Sequence, residues 1–215
     1  MTGDDALRRQ AHDNLLLWNR VYGEHNRART ATVEGLLLSS IAFPYAGFRS
    51  AVPVGATRRE SIDAARAFFA DDPDAFVVYA RPDVDTELAG KGVIELFRAP
   101  QMVCTEPPAA PAVGSDVEVV LTRDHDDLHD YAVVAGAIAV TEGPGSYISF
   151  VAADKEARRH GLGDAVTRLV TRSGFDAGAS MASLEASPFG YHVYERMGFR
   201  EIFQYALLVV MPPKT

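Results

Sequence analysis

The chain has 215 residues, 47% of them hydrophobic and 23% charged. That balance belongs to a globular protein long enough to bury a substantial core, as one large domain or two small ones. A formal net charge of -8 argues against general nucleic-acid binding, which needs basic surface to neutralise phosphates, but leaves room for a local basic pocket around one phosphorylated ligand. Cys104 is the single cysteine, so no intramolecular disulfide can form and a reducing cytoplasm is the expected compartment. In the apolar run Met102-Val103-Cys104 it reads as a small buried hydrophobe. The start is acidic and polar and no apolar run reaches membrane-spanning length, so neither a signal peptide nor a membrane partner is expected.

Along the chain, Leu7, Ala11, Leu15 and Trp18 recur at helical spacing and predict a helix from Asp4 to Tyr22. Strand-like runs follow at Thr32–Ile41 and Phe48–Val54. Ile62, Ala65, Phe68 and Phe69 predict a helix over Thr57–Ala70, stopped by Asp71-Asp72-Pro73. Phe76–Ala80 is a short buried strand, Asp85–Ala89 a small helix, and Val93–Phe97 and Gln101–Thr105 two strands. Three prolines within Pro107–Pro111 predict a linker, which places a first half at 1–106, the linker at 107–116 and a second half at 117–215.

The second half opens with a predicted strand at Val117–Leu121. Asp124–Ala139 is predicted helical, although Val133-Val134 and Ile138-Ala139-Val140 could instead form a strand. Glu142-Gly143-Pro144-Gly145 is a turn and Tyr147–Ala153 a strand. A helix over Asp164–Ser173 ends at Gly174, Ala182–Ala186 is a strand, and Pro188–Met197 is a helix with Ser187 as N-cap. Phe199–Val210 completes the sheet. Gly92–Phe97 can be laid over Gly198–Phe203, which suggests an internal duplication; chance similarity of two hairpins explains it equally well.

The informative stretch is the strand ending at Ala153 followed by Arg158-Arg159-His160-Gly161-Leu162-Gly163 and a helix. A glycine-rich turn at a helix N-terminus exposes backbone N–H groups, and the helix dipole adds partial positive charge. Glycine lets the backbone approach a phosphate closely, and two arginines and a histidine add charge in an acidic chain. A diphosphate is the natural guest. The nucleotide P-loop is excluded by the absence of Gly-Lys-Ser/Thr, and the dinucleotide fingerprint by the absence of a third glycine.

Arg158-x-x-Gly161-x-Gly163 resembles the signature of the GNAT acetyltransferases, and Leu184–Phe199, containing Tyr194-Glu195-Arg196-Met197-Gly198-Phe199, resembles their second strand–helix element. The resemblance covers about residues 117–210 and implies a mixed α/β (α+β) sheet of the acyl-CoA N-acyltransferase fold, in tandem with an incomplete N-terminal repeat. It implies acetyl-CoA as co-substrate, no metal, and an amine acceptor on a small molecule or protein. The alternative is an inactive GNAT-like module that binds acyl-CoA or a partner. Self-association as a homodimer is compatible with either.

By the same resemblance Val151, Ala152 and Ala153 would bond the pantetheine arm. Arg158, Arg159, His160, Gly161, Leu162, Gly163 and Asp164 would hold the diphosphate. Ser187 would bond the cofactor or cap its helix, and Tyr194 would lie near the sulfur and protonate the departing thiolate. Glu142, Glu185 and His192 are the candidate general bases. Lys155 stands where the family often has Pro, and Asp164 would repel phosphate unless it turns outward. The short interval between Leu121 and Tyr147 leaves an abbreviated sheet, or one that the first half completes. The first half lacks the cradle at Gly55–Glu60 and has Leu88 where a duplication would put Tyr194, so structural work or acceptor binding is expected of it.

Overall fold

A computed structural model describes residues 3–41, 49–72, 74–82, 85–88, 92–114, 118–122, 135–156 and 158–211. Val117 and the segment 124–134 of the predicted second-half strand and helix lie outside these residues. The chain is a mixed α/β protein and divides into two compact units, one of Met1–Asn14 with Gln101–Ile202, the other of Leu15–Pro100 with Phe203–Thr215. Helix α1 (Gly3–His25) and strands β5 (Val93–Cys104) and β9 (Arg200–Val210) contribute residues to both.

In the second of these units, β1 (Arg29–Val33) and β2 (Leu36–Ser40) form an antiparallel hairpin. The sequence reads Thr32–Ile41 as one strand, but Glu34 and Gly35 take φ of 46° and 77° and turn the chain. A Cβ on Gly35 would lie 2.4 Å from the Ala56 carbonyl oxygen, so close approach and conformation both require glycine there. β3 (Arg49–Pro53) lies antiparallel to β2; α2 (Arg59–Phe68) then crosses to β4 (Phe76–Ala80), parallel to β3. β9 pairs antiparallel with β4, from Phe76 opposite Val210 to Ala80 opposite Ala206. Leu36, Leu38, Ile62, Phe69, Phe76, Val78 and Leu208 form the core, and Leu88, in a single 3₁₀ turn at Thr86–Leu88, is buried with them.

The first unit has the same order of elements. β6 (Ala135–Glu142) and β7 (Gly145–Ala153) form a hairpin turned at Gly143-Pro144. α3 (Leu162–Asp176) crosses to β8 (Met181–Glu185), which runs parallel to β7. A short helix, α4 (Tyr191–Arg196), follows. The antiparallel neighbour of β8 here is β5, with Gln101 opposite Glu185 and Cys104 opposite Ala182. The last strand of each half of the sequence therefore completes the sheet built by the other half. Gly92 and Gly198, ahead of β5 and β9, share a positive φ of 76° and 96°.

Several boundaries differ from the sequence reading. Residues 118–121 form no strand, and Ala135–Ala139 of the predicted helix lie in β6, in line with the alternative strand reading of Ile138–Val140. Val93–Phe97 and Gln101–Thr105 are parts of one continuous strand, β5, which runs through Pro100. Gly174 does not end α3. A Cβ there would lie 2.6 Å from Ser146 Oγ, so the glycine lets the helix seat against β7. The helix runs on to Asp176 and is closed off by Gly178, with φ of 99°. There the Ala179 N–H donates to Gly174 O and the Gly178 N–H to Phe175 O, a Schellman motif. Gly174→Val should destabilise the fold by about 1–3 kcal/mol through overpacking, read as a lower midpoint in urea; an unchanged midpoint would mean the helix can lift at no cost.

The Gly3–Asn14 part of α1 is tied to β7 and β8 by polar contacts. Asn14 Nδ2 donates to Ser146 O at 3.3 Å and Ser183 Oγ at 3.0 Å, and Gln10 donates to Pro144 O at 3.0 Å. Gly145 is required at this point, since a Cβ would fall 2.0 Å from Asn14 Oδ1. The opposite face of this sheet packs Ile148, Ala182, Leu184 and Met102 against Val170 of α3 and Tyr194 of α4.

Candidate functional site

The turn between β7 and α3 is open and exposed from Arg158 to Gly161. Arg159 and Gly161 both have positive φ, 68° and 77°, and Gly161 is the N-cap of α3. No side chain caps this helix, and its first intrahelical bond runs from Ala165 N–H to Gly161 O at 2.9 Å. The N–H groups of Leu162, Gly163 and Asp164 therefore have no acceptor within the helix. A Cβ at Gly161 meets nothing within 4 Å, so the space beside this residue is open. By contrast, at the start of α2 the Ser61 hydroxyl accepts from the Arg58 N–H at 2.9 Å, so that terminus is engaged by its own residues.

Charge around the turn is sorted. Asp164 does not oppose an anion: its carboxylate is forked by Arg168 one turn along, at 2.6 and 3.2 Å. Arg158 reaches back so that Nε donates to Ala153 O at 3.3 Å, which pins the turn to the end of β7. Glu156 N–H donates to Asp154 Oδ1 at 2.9 Å and tightens the loop that contains Lys155.

β7 and β8 pair only from Gly145 opposite Met181 to Tyr147 opposite Ser183, although β7 continues to Ala153 and β8 to Glu185. Beyond Tyr147 the pairing of β7 is with β6 alone among the described residues. An extra residue in β7 shifts the register between Gly136 and Ile138, and Phe150 at the bulge has a φ of 51°. A bulge bends its strand, and here it lies in the stretch where β7 has lost β8. Val151, Ala152 and Ala153 thus line an unpaired strand edge that leads to the α3 turn.

Tyr194 lies on the α4 side of this gap. It is buried in the cluster that holds Ala182, Leu184 and Phe199, and burial raises its phenol pKa. Its ring packs beneath Gly190, where a Cβ would be 2.7 Å from the ring. Ser187 was expected to cap a helix from Pro188. The helix starts only at Tyr191, with Gly190 as N-cap, but the Ser187 hydroxyl and carbonyl both accept from the Gly190 N–H, at 3.2 and 3.0 Å. The serine stabilises the turn that precedes the helix, because Pro188 and Phe189 form that turn rather than its first residues.

The three candidate bases are not together. Glu142 is exposed at the end of β6, and His192 is exposed on α4, 3.2 Å from Glu195. Glu185 is at the end of β8, just past the last rung shared with β7. Burial pushes its carboxyl up to about 7, against a hydrogen bond donated by the Tyr147 phenol that holds it down. That bond puts Glu185 on the face of Tyr147, while Leu184 next to it belongs to the Tyr194 face. Glu185 and Tyr194 thus approach the β7–β8 gap from opposite faces of the sheet.

A family model described as an acetyltransferase (GNAT) domain matches residues 126–205. That span holds the hairpin, the α3 turn, β8 and α4. Residues 126–205 are thus the GNAT-like part of the chain. None of the curated proteins matches the sequence. Among solved structures, a GCN5-related N-acetyltransferase from Kribbella flavida is similar with a TM-score of 0.66 and 16% identity, covering 94% of this chain and 96% of that one. A GCN5-related N-acetyltransferase from Sphaerobacter thermophilus has a TM-score of 0.61 and 13% identity over 84% of this chain and 78% of that one. A tandem GNAT protein from the clavulanic acid biosynthesis pathway has a TM-score of 0.52 and 12% identity over 84% and 79%. The fold is the GNAT fold.

Sequence motifs located the α3 turn and α4 but missed two side chains on the Glu185 face. Tyr147 appeared only as the first residue of a strand, and Gln101 as the first residue of another. Alternation could have placed Tyr147 on one face of β7. Nothing local could have paired Gln101 with Glu185, because their contact depends on which strand lies beside β8. Among the described residues no helix is long and apolar enough to cross a membrane, and no cluster of three His, Cys, Asp or Glu could hold a metal ion.

Proposed function

We propose that the protein is an N-acetyltransferase that moves an acetyl group from acetyl-CoA to a primary amine of a small molecule or protein. The observation that carries this reading is the β7–β8 gap, with the uncapped first turn of α3 at its end and Glu185 and Tyr194 on its two faces. The residues fit the co-substrate. The free amides of Leu162, Gly163 and Asp164, with clear space at Gly161, suit a diphosphate, and Arg158, Arg159 and His160 add charge to the approach. The unpaired edge of Val151, Ala152 and Ala153 suits the amide-rich pantetheine arm, bonded as an added strand would be. Ser187 serves the site by holding the turn above Tyr194.

When bound, acetyl-CoA supplies an acyl thioester at the gap. Glu185, in its carboxylate form, takes the proton from the attacking amine as the N–C bond forms. A backbone N–H at the splayed edge near Ala153 steadies the carbonyl oxygen as it gains charge. Tyr194 gives its phenolic proton to the sulfur as the C–S bond breaks. Burial keeps that phenol protonated at neutral pH, the state an acid needs. In the first half, the matching element order, the engaged α2 terminus and Leu88 in place of Tyr194 support a duplicated module that has no cradle of its own.

Turnover of acetyl-CoA against a panel of primary amines, followed by thiol release, tests the reading; a purified chain that binds acetyl-CoA but releases no thiol with any of them would count against it. Tyr194→Phe should lower turnover about 10²-fold, the low end for loss of a general acid, with acetyl-CoA affinity nearly intact. Unchanged turnover would remove Tyr194 from the reaction.

A further inference from the structure

Gln101 of β5 and Glu185 of β8 are direct partners at one rung of the antiparallel pair. Such partners share a face, with Cβ atoms roughly 5 Å apart. Gln101 is fully buried, yet neither its Nε2 nor its Oε1 has a hydrogen-bond partner among the described residues. Oε1 of Glu185 is buried and lacks one as well. Buried polar atoms of side chains are nearly always matched, and each exception calls for a reason. Here the unmatched atoms are complementary. An amide N–H can donate to a carboxylate oxygen, and an amide oxygen can accept from a carboxylic acid O–H.

A general base must be comfortable without its proton before reaction and with it afterwards. A lysine or arginine opposite Glu185 would favour only the carboxylate, and a second carboxyl only the acid. A neutral amide serves both by rotating about its last bond. We propose that Gln101 is a positioning residue for Glu185, its amide donating to the carboxylate and accepting from the acid as the proton arrives and leaves. The proton comes from the acceptor amine and departs to solvent, so the amide itself gains and loses nothing. This rests on Glu185 as general base, and it gives the first half of the sequence a direct part in the site.

Among the described residues, further groups lie near this face. Tyr147 of β7 is the titratable neighbour bonded to Glu185. β5 offers Val103 two residues beyond Gln101, and α1 brings the neutral Asn14, bonded to Ser183, with His12 buried two residues before it. Bonds to a charged group are the stronger ones, so loss of the amide penalises the carboxylate more than the acid.

The test is Gln101→Met, which keeps the side chain's length and removes its polar atoms. The Glu185 carboxyl is followed by ¹³C NMR titration in the free protein, and kcat/KM is followed against pH. Glu185 should titrate about one pH unit higher than in the wild type, and the acid limb of kcat/KM should move with it. Gln101→Asn should recover part of the shift. An unmoved Glu185 titration in Gln101→Met overturns the proposal, whatever happens to activity. A moved titration with an unmoved rate limb keeps the Gln101–Glu185 pairing and removes Glu185 as the base. If Gln101→Met does not fold, Gln101→Ala is titrated in the same way, with the same two outcomes.

Discussion

Glu185→Gln is expected to lower kcat/KM by a factor of about 10²–10⁴, the usual contribution of a positioned base, and at the same time to stabilise the protein above neutral pH. The two effects have one cause. Burial raises the carboxyl to about 7, so below that pH the wild type holds the proton and the base is lost; its rate should fall about tenfold per pH unit there. Stability follows the opposite course. The folded-state value lies above the unfolded one, so this group's contribution is fully present below about 4.5 and is lost as pH rises to about 7. Above that the fold carries a buried carboxylate. Glutamine resembles the protonated form and removes that burden. The melting temperature of Glu185→Gln relative to wild type should therefore rise between pH 5 and pH 8. A variant that keeps its activity would take Glu185 out of the chemistry. One that loses activity with no pH-dependent change in relative stability would contradict the buried, proton-holding carboxyl.

Gly161→Glu should abolish acetyl-CoA binding, a loss of about 10²-fold or more in affinity. Two terms act together. The residue sits at φ of 77°, which costs a non-glycine residue about 1–2 kcal/mol, and the side chain would enter the open space beside Gly161, at the start of α3, carrying a negative charge. The amides of Leu162, Gly163 and Asp164 would then meet a carboxylate of the protein's own in place of a phosphate. Gly161→Ala separates the terms, since it brings strain without charge and should weaken binding less. Equal affinity in Gly161→Glu and wild type would sink the assignment of the turn. Circular dichroism keeps the comparison fair by showing that α3 is still formed.

The sequence was most legible where the candidate site is local. The turn from Arg158 to Gly163, its helix, and the Tyr194 helix are contiguous, and their spacing carries over directly into β7–α3 and α4. Phe76–Ala80 coincides with β4 because a short apolar run bounded by breakers has few other choices. Gly174 misled because glycine after an apolar helix usually marks its end; its cause is the Ser146 side chain, distant in sequence. The run at Thr32–Ile41 misled because Glu34-Gly35 is a turn only if its residues adopt positive φ, as they do. What could not be read was strand partnership. Alternation tells which residues share a face but not which strand lies alongside, so the pairing of β5 with β8 and of β9 with β4 was out of reach. The short interval before Tyr147 left two readings open, an abbreviated sheet or one that the first half completes, and β5 of the first half pairs with β8. Gln101 falls in that blind spot, since its partner Glu185 comes from the other half of the sequence.

Calorimetric titration of the purified protein with acetyl-CoA, with ATP and NAD as controls, tests the acyl-CoA site most directly. Saturable binding of acetyl-CoA with no comparable binding of ATP or NAD is the predicted result, since in the proposed function the α3 amides accept a diphosphate but only the pantetheine arm can use the unpaired edge of β7. Absence of acetyl-CoA binding, or equal binding of all three ligands, would contradict it.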